Sequence, residues 1–184
     1  KQRIRLKITT NGTKFYKNIL DKIKNFKEVN FTISIDGTEN YYNYIRYPYT
    51  WSKLNKRLLN LIDYIKINKF NNWYIKIACL VQSYNFTDMH NVYKYKLYLE
   101  TLLEKQVSIT YDFNVRPPHS NDANISVLPH FVIKEGIELF KKNVQDPNLI
   151  NMFNNCLKNH MGPDLKRQQR FKQTLINFDK ERNQ

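Results

Sequence analysis

The sequence predicts an α/β fold, and more narrowly a partial (incomplete) parallel β/α barrel with a C-terminal helical extension. Four short segments alternate apolar and polar side chains, which is the pattern of strands with one buried and one wet face. These segments are 4–11, 29–36, 75–82 and 108–116. Helical periodicity fills the stretches between them, and strands joined by helical crossovers are normally parallel. Because parallel sheets usually have both faces covered, the polar face is expected to line a cavity.

The second strand shows the alternation most clearly. One face carries Val29, Phe31, Ile33 and Ile35, and the other carries Asn30, Thr32, Ser34 and Asp36. Taken by itself, this pattern is also typical of an antiparallel sheet with one solvated face. The long helical connections favour the parallel arrangement, since an antiparallel hairpin needs only a short turn.

The intervening and C-terminal stretches predict six helices. Apolar residues at helical spacing predict a helix ending near Phe26 and another over about 50–68, which Thr50 could cap. A third helix is expected after Asp88, and the Tyr-rich stretch beyond Gly37 is expected to be a loop. Three more helices, each with a proline near the first turn, are predicted over 129–143, 147–161 and 163–179. We therefore divide the chain into a barrel part, 1–118, and a helical part, 119–184.

Composition narrows the class of protein. A chain of 184 residues and 22.3 kDa suits one domain with a helical appendage. The net charge of +14 is typical of proteins that bind nucleic acids. However, the excess is mostly scattered Lys, which an AT-rich coding sequence would also produce. With Cys79 and Cys156 far apart, and with no transmembrane run or signal peptide, we expect a cytoplasmic protein with no membrane partner.

Polar residues at the ends of the predicted strands are the candidates for a binding site. Ligands of parallel sheets sit beyond the carboxyl ends of the strands. The residues expected around that rim are Asn11, Ser34, Asp36, Arg46, Gln82, Arg116 and His119. A guanidinium can hold a carboxylate in a two-pronged contact, and amide and hydroxyl groups can bond a ribose or an amine.

Structural roles are the alternatives for the same residues. Asn11 and Asp36 each precede a glycine and would favour a turn for backbone reasons alone. Arg46 lies among tyrosines and could be a stacked surface residue, and His119 could be structural. The sequence contains no nucleophile–base pair, metal cluster or phosphate-binding glycine loop. We therefore assign no catalytic residue and no metal ligand, and the residues by themselves indicate binding without a reaction.

The order of several short motifs adds a resemblance. The motifs are Thr10-Asn11-Gly12-Thr13, Ser34-Ile35-Asp36-Gly37, Asn43-Tyr44-Ile45-Arg46-Tyr47-Pro48 with Trp51 following, and Leu80-Val81-Gln82-Ser83-Tyr84-Asn85. In this order the chain resembles the second half of the core of radical S-adenosylmethionine (SAM) enzymes. More narrowly, it resembles the twitch-domain-containing radical SAM proteins of marine phages and bacteria.

The resemblance implies a cofactor and a role for each rim residue. Ser34 and Arg46 would contact the ribose and carboxylate of SAM, and Asn11 and Asp36 would line the cofactor rim. The backbone of Val81 and Gln82 would meet the adenine. Substrate contacts would come from Asn114, Arg116 and His119. The substrate is not identified; a peptide or a small molecule is expected.

Two elements of the family are absent from this chain: the CxxxCxxC loop that ligates the 4Fe-4S cluster, and the Gly-Gly-Glu segment that binds the methionyl amine. In the family both precede the strand with which this chain begins. We therefore expect a fragment whose cluster ligands lie in the missing N-terminal part and which is not active alone. The parent protein would generate a 5'-deoxyadenosyl radical for hydrogen abstraction. The alternatives are a basic nucleic-acid-binding module and a non-catalytic scaffold derived from the same barrel.

Overall fold

The computed structural model describes residues 3–113, 124–158 and 165–182. They form a mixed α/β fold of two compact units. Unit 1 comprises Lys1–Cys79 and Asn91–Tyr111, and unit 2 comprises Leu80–His90 and Asp112–Gln184. The predicted boundary at residue 118 lies outside the described residues, and the predicted division into two domains stays a prediction.

A four-stranded parallel sheet, confirming the predicted parallel arrangement, organises the first part of the chain. Its strands lie in the order β1-β2-β3-β4. They are β1 (Arg5–Thr10), β2 (Glu28–Ser34), β3 (Trp73–Leu80) and β4 (Ser108–Asp112). In the parallel registers, Ile8 pairs with Phe31 and Ile33 pairs with Ile77. The sequential order places each strand beside the next one along the chain.

Helices connect the strands, as the periodicity predicts for all but the second of them. They are α1 (Lys17–Ile23), α2 (Glu39–Ile45), α3 (Trp51–Ile67) and α4 (Met89–Leu103). Crossovers of one hand between sequential parallel strands carry their helices on one face of a sheet. The burial pattern agrees, because every second residue of β2 and of β3 is buried and the residues between them are not.

The buried face of the sheet and the apolar stripe of α3 supply the core of unit 1. The stripe is the one that the sequence predicts: Leu54, Leu58, Leu61, Ile62 and Ile65. Trp73, at the start of β3, is fully buried and stacks on Phe70, with 4.6 Å between ring centroids. Cys79 is buried on the same face of the sheet, as expected for a core residue.

Three local predictions differ from the structure. The helix α1 ends at Ile23, three residues before the predicted end near Phe26. The Tyr-rich stretch predicted to be a loop contains α2, whose Tyr42 is buried. Thr50 occupies the N-cap position of α3, yet its side chain makes no capping hydrogen bond. Instead, the Asn43 side-chain oxygen accepts from the Trp51 N–H at 2.7 Å, so the cap comes from the preceding helix.

Unit 2 is built around aromatic residues. A 3₁₀ turn (Phe86–Asp88) precedes α4, and three helices follow: α5 (His130–Asn143), α6 (Pro147–Lys158) and α7 (Leu165–Arg182). The Phe153 ring stacks on Phe140, with 3.8 Å between centroids, and also contacts Phe86 and Phe113. The three C-terminal helices therefore exist as predicted, apart from their ends. Among the described residues, no helix combines the length and apolarity needed to cross a bilayer.

Candidate functional site

The sheet of unit 1 has one face that the core does not cover, which we call the open face. It carries Asn30, Thr32 and Ser34 of β2, all partly exposed, and Arg5, Lys7 and Thr9 of β1, all exposed. Within β2 and β3 the alternation in sequence therefore predicts correctly which side chains are buried, whereas Ile4, on the predicted apolar side before β1, is exposed. The open face offers hydroxyl, amide and cationic groups in rows, because the parallel register places Lys7 beside Asn30 and Thr9 beside Thr32.

An ion pair lies just beyond the carboxyl end of β2. The Arg46 Nη2 donates to the Asp36 carboxylate. Asp36 is buried, with 8% of its side chain exposed, whereas 31% of the Arg46 side chain is exposed. Among the described residues, the Arg46 Nε is buried without a hydrogen-bond partner. The structure thus brings together two residues that the sequence assigns to one rim.

Gly37 lets the first turn of α2 pack closely against the chain that follows Asp36. A Cβ atom at position 37 would lie 2.9 Å from the Cβ of Tyr41 and 3.3 Å from the Tyr42 backbone nitrogen. Only glycine fits that approach without a shift of the helix. The Asp-Gly pair therefore serves local packing, and this packing carries Arg46, at the end of α2, back to Asp36.

Tyr42 is not among the predicted rim residues, although it stands beside the ion pair. Burial raises the pKa of Tyr42; Arg46 opposes that shift and Asp36 adds to it. Its ring meets Trp51 edge-on at 5.7 Å. Tyr42 and Arg46 are four residues apart, which places their side chains on the same side of a helix. Because this stretch is predicted to be a loop, the sequence does not reveal that they are neighbours.

Asn11 forms a turn with its neighbours. Its side-chain oxygen accepts from the Thr13 N–H at 3.1 Å and from the Thr13 hydroxyl at 2.7 Å. Gly12 between them has a φ of 72°, a conformation that favours glycine. The turn alternative thus accounts for Asn11, whose predicted contact with a cofactor stays a prediction. Ser34 ends β2 on the open face, paired in register with Ala78.

Val81 and Gln82 belong to unit 2, and their backbone N–H groups are already bonded. The Val81 N–H donates to the Asp112 carbonyl at 2.7 Å, and the Gln82 N–H donates to the Asn85 side-chain oxygen at 2.7 Å. The amide of fully buried Asn85 also donates to the Leu80 carbonyl. Asn85 therefore holds this turn, a role that its position in the sequence did not reveal.

Asn114, Arg116 and His119, the predicted substrate-binding residues, lie outside the described residues. Their predicted roles stay predictions.

The described residues do not fit an iron–sulfur cluster. Nowhere in 3–113, 124–158 and 165–182 do three or more His, Cys, Asp or Glu side chains form a group that could hold a metal. The two cysteines are in different units. Burial raises the pKa of Cys156 to about 11, so its thiol stays protonated at neutral pH, whereas such clusters need several converging thiolates.

Comparisons with known proteins were made at three levels. A scan of protein-family models, a search of curated proteins and a search of solved structures found no match to this chain. The functional argument therefore depends on the residues and on their geometry.

Proposed function

We propose that this chain is the SAM- and substrate-contacting part of a radical SAM enzyme, folded as part of a parallel β/α barrel. The observation that carries the proposal is the polar open face of a parallel sheet whose strands follow one another in sequence order. Sequential order with helices on one side is the arrangement from which β/α barrels are built. In such folds the polar inner face and the carboxyl ends of the strands hold the ligand.

Arg46 has the chemistry to bind the SAM carboxylate. One nitrogen of its guanidinium is bonded to Asp36, which fixes the side chain in place. A guanidinium has five N–H donors, so others remain for a second carboxylate. Asp36 also offsets the Arg46 charge when no ligand is bound. A positioned cation with donors left over is a suitable anchor for an α-carboxylate.

Ser34 and Asn11 would complete the cofactor contacts in unit 1. The hydroxyl of Ser34, on the open face two residues before Asp36, could bond a ribose hydroxyl. The carbonyl oxygen of the Asn11 side chain is used by its turn, which leaves its amide nitrogen as the donor for a ligand. The expected adenine contact, the backbone of Val81 and Gln82, belongs to unit 2 and stays a prediction.

Equilibrium dialysis of this chain with labelled SAM tests the binding role. We expect Arg46→Gln to weaken SAM binding about ten-fold or more, since hydrogen bonds to charged groups are the strong ones. Arg5→Gln is the matched control, because Arg5 also pairs with an acid, Glu28 at 3.6 Å, but at the opposite end of the strands. Absence of SAM binding, or equal losses in both variants, would overturn the role of the rim.

The enzymatic part of the proposal concerns the parent protein, because the cluster does not fit the residues of this chain. SAM supplies the radical chemistry, and the protein holds and orients it. Anaerobic reconstitution of the parent with iron, sulfide and reductant is expected to yield 5'-deoxyadenosine. A properly loaded cluster that produces none would remove the claim of enzymatic activity while leaving SAM binding to be judged by dialysis.

Nucleic-acid binding is the second candidate function, favoured by the net charge of +14. Exposed basic side chains occur on α1, α3, α5 and α7, in both units. This scattered distribution is less typical of a dedicated surface than one continuous stripe. If the chain binds nucleic acids, its affinity for oligonucleotides should fall steeply with salt. The affinity should be lost when the exposed Tyr41 and Tyr47 are replaced.

A further inference from the structure

A groove of about 460 Å³ lies among the helices of unit 1, and none of the residues assigned to SAM lines it. Trp51 and Asn55 line it from α3, where they are one helical turn apart. Lys94, Tyr95 and Tyr98 line it from α4. The volume lies within the range of about 300–1,000 Å³ that small-molecule sites occupy.

Three aromatic rings form one continuous wall of the groove. Trp51 and Tyr95 meet edge-on, with 4.6 Å between ring centroids, and Tyr95 lies 6.0 Å from Tyr98. Tyr95 is buried, Trp51 is partly exposed, and 45% of Tyr98 is exposed. The wall is therefore anchored in the core at Tyr95 and accessible on either side of it. The ring planes are tilted by 65° between Trp51 and Tyr95 and by 37° between Tyr95 and Tyr98, so a flat ligand can stack on one accessible ring and contact the edge of the next.

The orientation of Asn55 is fixed by Tyr95. The Tyr95 hydroxyl donates to the Asn55 side-chain oxygen at 2.8 Å. Burial raises the pKa of Tyr95, so the phenol keeps its proton and keeps donating. With its oxygen occupied in this way, Asn55 has its amide nitrogen as the donor for a ligand in the groove.

Two exposed side chains of opposite charge complete the lining, Lys94 on α4 and Glu39 at the start of α2. We infer that this groove binds a nucleotide. The base stacks on the aromatic wall, Asn55 donates to a ring nitrogen, Glu39 accepts from an exocyclic amine, and Lys94 pairs with the phosphate. The net charge of +14 favours such an anionic ligand over a neutral sugar. Adenine has both the ring acceptors and the exocyclic amine, so AMP is the probe.

Trp51 allows a direct measurement. The chain has two tryptophans, and Trp73 is fully buried, so quenching of tryptophan fluorescence by AMP reports on Trp51. We expect saturable quenching that disappears in Trp51→Phe, with calorimetry providing the affinity independently. Lys94→Met is expected to weaken AMP binding about five-fold, the effect of one exposed charge pair, and to leave adenosine binding unchanged.

Lys56→Met is the matched control, because Lys56 is an exposed lysine of α3 that does not line the groove. Its AMP affinity should equal that of the unsubstituted chain. Failure of AMP to quench Trp51, an unchanged affinity in Lys94→Met, or equal binding of maltose would overturn the inference. Tighter binding of oligoadenylate than of AMP would identify a nucleic-acid strand as the source of the nucleotide, and equal affinities would identify a free mononucleotide.

The inference does not depend on the proposed SAM site. SAM shares the adenosine part of AMP but carries no phosphate and is cationic at sulfur, so it should displace AMP from Trp51 only at concentrations well above those at which AMP itself binds. Arg46→Gln, expected to weaken SAM binding, should leave AMP binding unchanged. Displacement of AMP by SAM at concentrations as low as those at which AMP binds, or loss of AMP binding in Arg46→Gln, would overturn the inference of a separate nucleotide site.

Discussion

The two faces of the sheet in unit 1 carry different kinds of side chain at alternate positions of the same strands. On β2, Phe31 and Ile33 are buried against the helices, whereas Thr32 and Ser34 between them remain partly exposed. The covered face makes the contacts that stabilise the fold. The open face makes few of them, so its side chains can be selected for binding. Along one strand, therefore, residues that stabilise the fold alternate with residues that are available for binding.

Removing a side chain from the covered face should have the largest effect on stability. Ile33 is fully buried, so Ile33→Ala leaves a cavity and is expected to lower the free energy of unfolding by about 3–4 kcal/mol. Urea unfolding followed by circular dichroism measures it. The matched control is Thr32→Ala on the opposite face, for which we expect a loss below about 1 kcal/mol. Equal losses at the two positions would mean that the open face is covered as well.

The Asp36–Arg46 ion pair should be the next most sensitive feature. Asp36→Ala leaves the Arg46 charge half-buried and less well compensated, and the expected cost is about 2 kcal/mol, reduced by the exposure of Arg46. Arg46→Ala should cost a similar amount, and the double variant should cost less than the sum. Strict additivity in this cycle, measured by urea unfolding, would show that the two side chains do not interact.

The covered side of the sheet should also lose a stabilising hydrogen bond at high pH. Tyr64 of α3 donates to Asp21 of α1 at 2.6 Å, and burial together with this bond raises the pKa of Tyr64 from 10.0 to about 12. A raised pKa means that the folded chain holds this proton more tightly than the unfolded chain. The stabilisation is therefore complete below pH 10 and is lost between pH 10 and about 12.

Tyr64→Phe removes this contribution and provides the measurement. The difference in unfolding free energy between the unsubstituted chain and Tyr64→Phe should be constant below pH 10 and should shrink above it. A difference that does not change with pH would exclude the raised pKa as the cause. Tyr74 offers a matched control, because it is exposed and Tyr74→Phe should show no such pH dependence.

Periodic features could be predicted because each follows from a repeating physical constraint. Alternation identifies the covered and open faces, and the 3.6-residue spacing identifies the buried stripe of α3, from Leu54 to Ile65. The parallel order of the strands follows from the helical length of their connections. None of these predictions needs a contact between residues distant in sequence.

The candidate site was less predictable because its contacts depend on loop geometry. The Asp36–Arg46 pair requires α2, and the polar, Tyr-rich composition of that stretch predicts a loop and not a helix. The bonds of Asn85 to the Gln82 N–H and the Leu80 carbonyl require a turn whose shape has no periodic signature. The groove beside Trp51 requires α3 and α4 to lie side by side, which is a tertiary contact between residues some forty positions apart.

Ser34 should show the smallest effect on stability and a clear effect on binding. It is a partly exposed residue of the open face, so Ser34→Ala should change the free energy of unfolding by less than about 0.5 kcal/mol. If its hydroxyl bonds the ribose of SAM, the same substitution should weaken SAM binding about ten-fold, the effect of one hydrogen bond. Thr9→Ala, another hydroxyl of the open face but on β1, is the control and should leave SAM affinity unchanged. If Ser34→Ala loses stability but still binds SAM normally, Ser34 stabilises the fold and does not contact the cofactor. The proposal that the open face binds SAM would then be wrong.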